Sequence, residues 1–148
     1  MNPGNPKRKK TLKLNVGEEI HFSLIGISSH ENDYRLVWAI NNLLKFQFIR
    51  VQDLVIRHPK LGTDLEFSRY EFTDEDKYLT YCLISNRCPD GFLFPDMKNL
   101  DFLIQITGEI SEPDKKGFVK KLKAVEVINA CFVLEPSKIK EIRQKLPG

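Results

Sequence analysis

Residues 78–85 carry the sequence Tyr-Leu-Thr-Tyr-Cys-Leu-Ile-Ser, in which nearly every side chain is apolar or favours β-structure. A short run of this kind, bounded by turn residues, is typical of a strand buried in the middle of a sheet. A second segment places a large apolar side chain at every second position from Leu100 to Ile106. We therefore predict a central strand at residues 78–85 and a further, alternating strand that ends at Gly108.

Further strands are predicted on both sides of this centre. Apolar residues alternate along residues 12–16, 20–24 and 46–51, which indicates three short strands. Residues 127–134 form a mainly apolar run that ends before Pro136, so we expect a second fully buried strand there.

One further strand shows a break in its alternation. Leu65 and Phe67 occupy one parity, whereas Tyr70 and Phe72 occupy the other. A regular strand places successive side chains on opposite faces, so these four residues cannot all share one face. The sequence predicts either a β-bulge near residues 68–69 or a strand that is buried on both sides.

Two main helices are predicted, the first at about residues 30–45. Ser28 and Glu31 have the spacing of a capping box, and an apolar stripe follows them. The predicted stripe comprises Tyr34, Val37, Ile40, Asn41 and Leu44, with Trp38 at its edge. The second helix is expected at about residues 112–124, after a capping box at Ser111. Its inward stripe comprises Phe118, Val119, Leu122 and Val125.

The order of these elements predicts an α+β fold with a mostly antiparallel sheet of about 5–7 strands. Both helices are expected to pack on one face of the sheet. The chain has 148 residues, the common size of a single domain. We predict a flexible basic arm at residues 1–10, one α+β domain at residues 11–136, and a short basic tail or helix at residues 137–148.

The net charge of +3 conceals an acidic middle region between two basic ends. Residues 1–17 carry five basic and no acidic side chains. Residues 18–114 carry 9 basic and 17 acidic side chains, whereas residues 115–148 carry 9 basic and 3 acidic ones. An acidic middle repels a polyanion, so any such contact is expected to use the two basic ends.

The basic residues predicted to contact a polyanion lie in the arm and in the second helix, where they share a face. They are Lys7, Arg8, Lys9, Lys10, Lys116, Lys120 and Lys123. Four more basic residues follow in the tail, namely Lys138, Lys140, Arg143 and Lys145. The predicted partner is a nucleic acid or an acidic protein surface. A solvated lysine face with a solubilising arm explains the same pattern, and this alternative stays open.

The sequence contains no catalytic or metal-binding signature. Cys82 and Cys88 do not have the spacing of zinc or redox motifs. The acidic run at residues 74–76 lacks the ligand spacing and the glycine of a calcium loop. We therefore expect no cofactor, and a binding module is favoured over an enzyme.

Two features predict a cytoplasmic protein that does not contact a membrane. The N-terminal residues contain no apolar run long enough for a signal sequence or a membrane-spanning helix. The three cysteines form an odd, widely spaced set, which is not typical of a disulfide framework.

Residues 94–102 carry the sequence Phe-Pro-Asp-Met-Lys-Asn-Leu-Asp-Phe. This segment resembles the signature of the bacterial IPExxxVDY family. Pro95 and Asp101 match named positions of that signature, and Asp96 and Phe102 are conservative replacements. Trp38 belongs to a wider pattern, covering most of residues 12–135, that is also similar to this family. The resemblance implies a small cytoplasmic bacterial protein but no particular biochemical role.

A structural role for this signature is favoured over a functional one. Pro95 is expected to fix the start of the next strand. Asp101 is expected to bond a turn or to pair with Arg35 or Arg87, because short polar side chains at strand ends commonly satisfy backbone groups.

Two functional hypotheses follow. The first is a non-catalytic binding or adaptor module that docks on a larger cytoplasmic assembly through its basic termini. The second is an enzyme or small-ligand-binding protein whose pocket is built from residues distant in sequence, around Tyr34, Trp38 and Asp101.

Overall fold

The computed structural model of the protein describes residues 20–58 and 60–146. Its strands are β1 (Phe22–Ser28), β2 (Ile49–Arg57), β3 (Asp64–Asp74), β4 (Leu79–Ser85), β5 (Arg87–Cys88), β6 (Gly91–Phe92), β7 (Phe102–Thr107) and β8 (Ala130–Leu134). Its helices are α1 (Asp33–Leu44), α2 (Glu112–Lys123) and the short α3 (Ile142–Lys145). The predicted basic arm and the predicted strand at residues 12–16 lie outside the described residues.

Six strands form one sheet in the order β2-β3-β4-β7-β1-β8, and every neighbouring pair is antiparallel. β5 and β6 form a separate small hairpin. The predicted α+β class with an antiparallel sheet is confirmed. No helix in the described part of the chain is long and apolar enough to cross a bilayer.

The strand predicted to be central is β4, which lies inside the sheet between β3 and β7. β4 pairs with β7, and Leu83 lies opposite Ile104. Both side chains are fully buried. Both faces of these strands are covered, which favours apolar side chains at most positions, although β7 also buries the polar Gln105.

Both main helices cover the same face of the sheet, as predicted. α1 connects β1 to β2 and α2 connects β7 to β8, and the two strands of each pair run in the same direction. The buried side chains of α1 and α2 join one core cluster with Ile25 and Ile27 of β1. They are Leu36, Val37, Ile40, Phe118, Val119 and Leu122. We call this side of the sheet the helical face.

The two helix starts differ in how well the sequence predicts them. The Ser111 cap is confirmed, because its hydroxyl accepts a hydrogen bond from the Asp114 N–H at 3.1 Å. The capping box at Ser28 is wrong, since Ser28 is the last residue of β1 and its hydroxyl donates to the Asn99 carbonyl. α1 is capped instead by Asn32, whose side chain accepts from the Arg35 N–H.

The break in alternation along β3 has a simple explanation. Leu65 and Phe67 belong to one core cluster, whereas Tyr70 belongs to the other, so the strand is buried on both sides. The bulge lies on the neighbouring strand, because the β2–β3 register shifts between Val51 and Leu54. The second of the two predicted alternatives is therefore correct for β3.

The opposite face of the sheet is covered by irregular chain. Residues 86–101 lie there, anchored by Asn86, which is fully buried. Its side-chain amide donates to the carbonyls of Met97 and Leu100, and its amide oxygen accepts from the Phe94 N–H at 2.8 Å. One side chain thus satisfies three backbone groups of a segment that has little regular structure.

The C-terminal residues cover the rest of this opposite face. Ile142 and Leu146 are buried in its core cluster. The basic residues of the predicted tail are therefore held against the sheet by apolar contacts, and the tail packs on the domain up to residue 146.

Candidate docking surface at the edge of the sheet

β8 is an edge strand of the sheet. Within residues 20–58 and 60–146 it pairs only with β1. The prediction of a fully buried strand at residues 127–134 is wrong, because Phe132 and Val133 are 39% and 45% exposed. An edge strand presents unpaired N–H and C=O groups on its outer side, which are able to pair with another extended chain.

Three lysines of α2 lie together on one flank of the helix. Lys116, Lys120 and Lys123 are spaced four and three residues apart, so they are neighbours on the helix surface. All three are exposed, and none has an acidic side chain within ion-pair distance among the residues that the structure describes. We call them the lysine stripe. Lys115 differs, because its ammonium group lies 3.1 Å from the Glu112 carboxylate.

The lysine stripe faces β8. Burial raises the pKa of the Cys131 thiol of β8 to about 11, and the positive charge of Lys123 partly offsets this rise. Lys123 is therefore close to the strand, and α2 contacts β8 directly. Because the other two lysines share that flank of the helix, we infer that the stripe runs along the outer edge of β8, which pairs with no further strand among the described residues.

The basic residues of the C-terminal segment do not join the lysine stripe. α3 buries Ile142 in the core cluster opposite the helical face, whereas α2 buries Phe118 in the cluster of the helical face. The sheet therefore separates Lys138, Lys140, Arg143 and Lys145 from the stripe. The predicted residues Lys7, Arg8, Lys9 and Lys10 lie outside the described residues.

The residues that resemble the family signature occupy structural positions in different environments. Phe102 is buried in the core, and Pro95 and Asp96 form an exposed turn of 3-10 helix. The Asp101 carboxylate lies 2.7 Å from the Arg87 guanidinium and accepts a hydrogen bond from the Ser29 N–H at 2.8 Å. The predicted pairing of Asp101 with Arg87 is confirmed, and it fastens residues 86–101 to the end of β1.

The pocket expected around Tyr34, Trp38 and Asp101 does not form. Tyr34 and Trp38 are 62% and 69% exposed, so the prediction that Tyr34 faces the core is wrong. The buried stripe of α1 is centred on Leu36, Val37 and Ile40, which turns Tyr34 and Trp38 outward. Asp101 lines another cleft together with four other acidic residues, namely Glu31, Asp33, Asp53 and Glu66, and two arginines.

That acidic cleft is an ion-pair network. Arg50 lies 2.6 Å from Asp53 and 3.8 Å from Asp33, and the contact with Asp53 raises the pKa of the Arg50 guanidinium. In the described part of the chain no group of three or more His, Cys, Asp or Glu side chains could hold a metal ion. Three of the five acids of this cleft, Asp33, Asp53 and Asp101, are thus paired with arginines.

Two of the three thiols are buried in the sheet. Burial raises the pKa of Cys82, as it does that of Cys131, to about 11. A thiol with so high a pKa is protonated at neutral pH and is a poor nucleophile. The structure therefore supports the interpretation of Cys82 and Cys131 as core residues.

Comparison of the chain with protein-family models and with curated proteins yields no match. The docking surface is accordingly interpreted from its own geometry, and the IPExxxVDY resemblance stays a hypothesis.

The sequence predicted the lysine stripe but not the edge strand beside it. Phe132 and Val133 belong to an apolar run that looks like a central strand, and nothing local distinguishes the two cases. β8 has five residues and β4 has seven, and short edge strands are common, but this difference is visible only in the folded chain because the apolar run spans residues 127–134.

Proposed function

We propose that the protein is a non-catalytic docking module that binds an acidic, extended segment of a partner protein along β8. The observation that supports this most directly is the position of the lysine stripe beside a sheet edge that no described strand covers. An extended segment adds to such an edge through main-chain hydrogen bonds, while its side chains supply specificity. Acidic side chains on that segment would pair with the three lysines.

A polypeptide fits this surface better than a nucleic acid does. A phosphate backbone would engage the lysines but would leave the N–H and C=O groups of the edge strand unpaired. The most exposed aromatic side chains in the described part of the chain lie on other elements than α2. Tyr34 and Trp38 belong to α1, Tyr78 lies in the turn before β4, and Phe132 has the same strand parity as Leu134, which packs on the opposite face of the sheet. α1 lies towards β2, the other edge of the sheet, because the side chain of Asn41 bonds the backbone of Phe48. Base stacking would therefore fall on elements other than α2, which carries the lysine stripe.

Charge also argues against two alternative occupants of the edge. Pairing of β8 with β8 of a second copy would bring two lysine stripes together, and like charges repel. Residues 1–19, which lie outside the described residues, carry five basic and two acidic side chains, so their net positive charge is repelled by the same lysines. An acidic partner is favoured over both.

The setting of this interaction is inferred from the cysteines. All three are free thiols, and that of Cys88 is partly exposed to solvent. Free thiols are typical of a reducing compartment. We therefore place the docking module in the cytoplasm, on a larger assembly that displays an acidic segment, as expected for the bacterial family that the chain resembles.

The proposal is tested with a short peptide that alternates Glu and Val, titrated into the labelled full-length protein. We expect slower hydrogen exchange at amides of residues 130–134, because new strand pairing protects outward N–H groups. A peptide that alternates Lys and Val is the matched control and should not bind. A single-stranded oligouridylate that binds without protecting residues 130–134 would show that the surface serves nucleic acid instead.

Charge reversal locates the binding surface. The variant K116E/K120E/K123E should weaken binding of the acidic peptide by roughly 5- to 100-fold, since each exposed ion pair contributes about 0.2–1 kcal/mol and the reversal adds repulsion. The variant K138E/K140E carries similar changes on the opposite face of the sheet and should bind normally. Equal loss in both variants would mean that only net charge matters, and the docking proposal would then fail.

A further inference from the structure

A second charged surface lies on the opposite face of the sheet, away from the lysine stripe. It is a cleft of about 760 Å³ between the end of β2, residues 91–98 and the C-terminal segment. Its lining includes five basic side chains, Arg57, Lys98, Lys138, Lys140 and Lys145, but only two acidic ones, Asp96 and Glu141. We call it the basic cleft.

One of these basic residues is already committed to the fold. The Lys145 ammonium group donates to the Leu93 carbonyl at 2.5 Å, lies 3.4 Å from the Glu141 carboxylate, and sits 5.2 Å from the centre of the Phe94 ring. Lys145 thus holds the C-terminal segment against residues 93–94. It shapes the cleft rather than offering a free charge to a ligand.

The other four basic side chains remain exposed around the cleft. Lys98 and Lys140 have no ion-pair partner among residues 20–58 and 60–146. Arg57 and Lys138 have only loose partners, at 3.8 Å from Asp64 and 3.5 Å from Glu135. Exposed pairs of this length contribute little, so an anion of higher charge can replace these partners.

The interior of the basic cleft is apolar. Its lining includes Ile56, Leu65, Phe92, Met97 and Ile139. The Phe92 ring is partly exposed, and the Lys98 ammonium lies 5.6 Å from its centre. A cleft with an apolar floor, a flat aromatic ring and a basic rim fits a ligand that joins a flat ring system to several negative charges.

We propose that the basic cleft binds a nucleotide, with its phosphates at Lys98, Lys138 and Lys140 and its base against Phe92. The cleft volume falls in the range of roughly 300–1,000 Å³ that is usual for small-molecule sites. Multiple lysines around a phosphate chain supply charge-assisted hydrogen bonds, and an aromatic ring supplies a stacking surface for the base. This site is independent of the docking surface, because the sheet lies between them.

The test is calorimetric titration of the full-length protein with ATP, tripolyphosphate and adenosine, without divalent cations and at low salt. We expect ATP to bind more tightly than tripolyphosphate, and adenosine to bind more weakly than either. K98A/K140A should weaken ATP binding at least about tenfold, since hydrogen bonds to charged groups are among the strongest. K116A/K120A, which removes two lysines of the stripe, is the matched control and should bind ATP normally.

A conservative variant tests the role of the ring. F92L keeps an apolar side chain but removes the aromatic face, so it should weaken ATP binding by about 5- to 100-fold, the range expected for loss of base stacking, and leave tripolyphosphate binding unchanged. Equal affinity for ATP and tripolyphosphate, insensitive to F92L, would overturn the nucleotide assignment. Absence of binding at millimolar ATP, or normal binding by K98A/K140A, would overturn the site itself.

Discussion

Both faces of the sheet have an apolar core cluster, but the chain that covers them is held in different ways. On the helical face, Phe46 packs 4.6 Å from Phe72, 4.8 Å from Tyr81 and 5.7 Å from Phe118, measured between ring centres. On the opposite face, chain with little regular structure is fixed by buried polar side chains such as Asn86 in addition to its apolar contacts. Regular elements are stabilised by apolar area, whereas irregular segments need polar anchors that satisfy their backbone groups. This contrast predicts which substitutions each face tolerates.

The largest expected effect is on the helical face. Phe118→Ala removes a buried ring that contacts both Phe46 and Tyr81. It should lower the free energy of unfolding by about 3–5 kcal/mol, the usual cost of deleting a buried aromatic ring. Urea denaturation followed by circular dichroism measures this change. Lys120→Ala, on the exposed side of the same helix, is the control and should change stability little.

Asn86→Ala should have the next largest effect. It leaves the Phe94 N–H and the carbonyls of Met97 and Leu100 without their side-chain partner. Buried unsatisfied groups cost about 1–3 kcal/mol each, although some of these three groups can find new partners. We therefore expect the free energy of unfolding to fall by roughly 2–4 kcal/mol in the same denaturation experiment.

The control for this variant is Asn42→Ala, which alters an exposed asparagine of α1. If Asn86→Ala and Asn42→Ala cost the same, the opposite face does not depend on its polar anchor, and the contrast between the two faces disappears.

Asp101→Asn should lower the free energy of unfolding by a smaller amount, about 1–2 kcal/mol. The variant loses the charge that pairs with Arg87, but its amide oxygen still accepts from the Ser29 N–H. Arg87 is half exposed, so water screens much of the ion pair. Exchange rates of amides in residues 86–101 should rise selectively. A uniform rise across the sheet would contradict the local role of Asp101.

The smallest expected effects concern the helix starts. Asn32→Ala and Ser111→Ala each remove a side chain that caps a main helix and should each cost about 1 kcal/mol. Glu31→Ala removes the side chain that the predicted capping box requires and should be nearly neutral. A larger loss for Glu31→Ala than for Asn32→Ala would reinstate that capping box.

Sequence patterns predicted the parts of this fold that depend on local spacing. The central strands, the inward face of α2 and the lysine stripe all follow from apolar or basic residues repeating at the period of their element. For Asp101 the sequence offered a turn bond or a pair with Arg35 or Arg87, and the structure shows a backbone bond to Ser29 together with the Arg87 pair.

The remaining features depend on sheet order, which no local pattern encodes. β8 looks like a buried strand because α2 covers one of its faces, but it is the last strand in the sheet order that residues 20–58 and 60–146 form. No local pattern marks Asn86, although it anchors residues up to fourteen positions away. The basic cleft joins β2 to the C-terminal segment, and only the folded chain brings these regions together.

The outward position of Trp38 has a practical consequence. It is the only tryptophan of the chain, and its indole is already largely in water in the folded protein. Intrinsic fluorescence will therefore change little on unfolding, so it is a poor monitor of stability. The same property makes it a specific optical reporter for any molecule that covers α1, and a silent one for ligands at β8 or in the basic cleft.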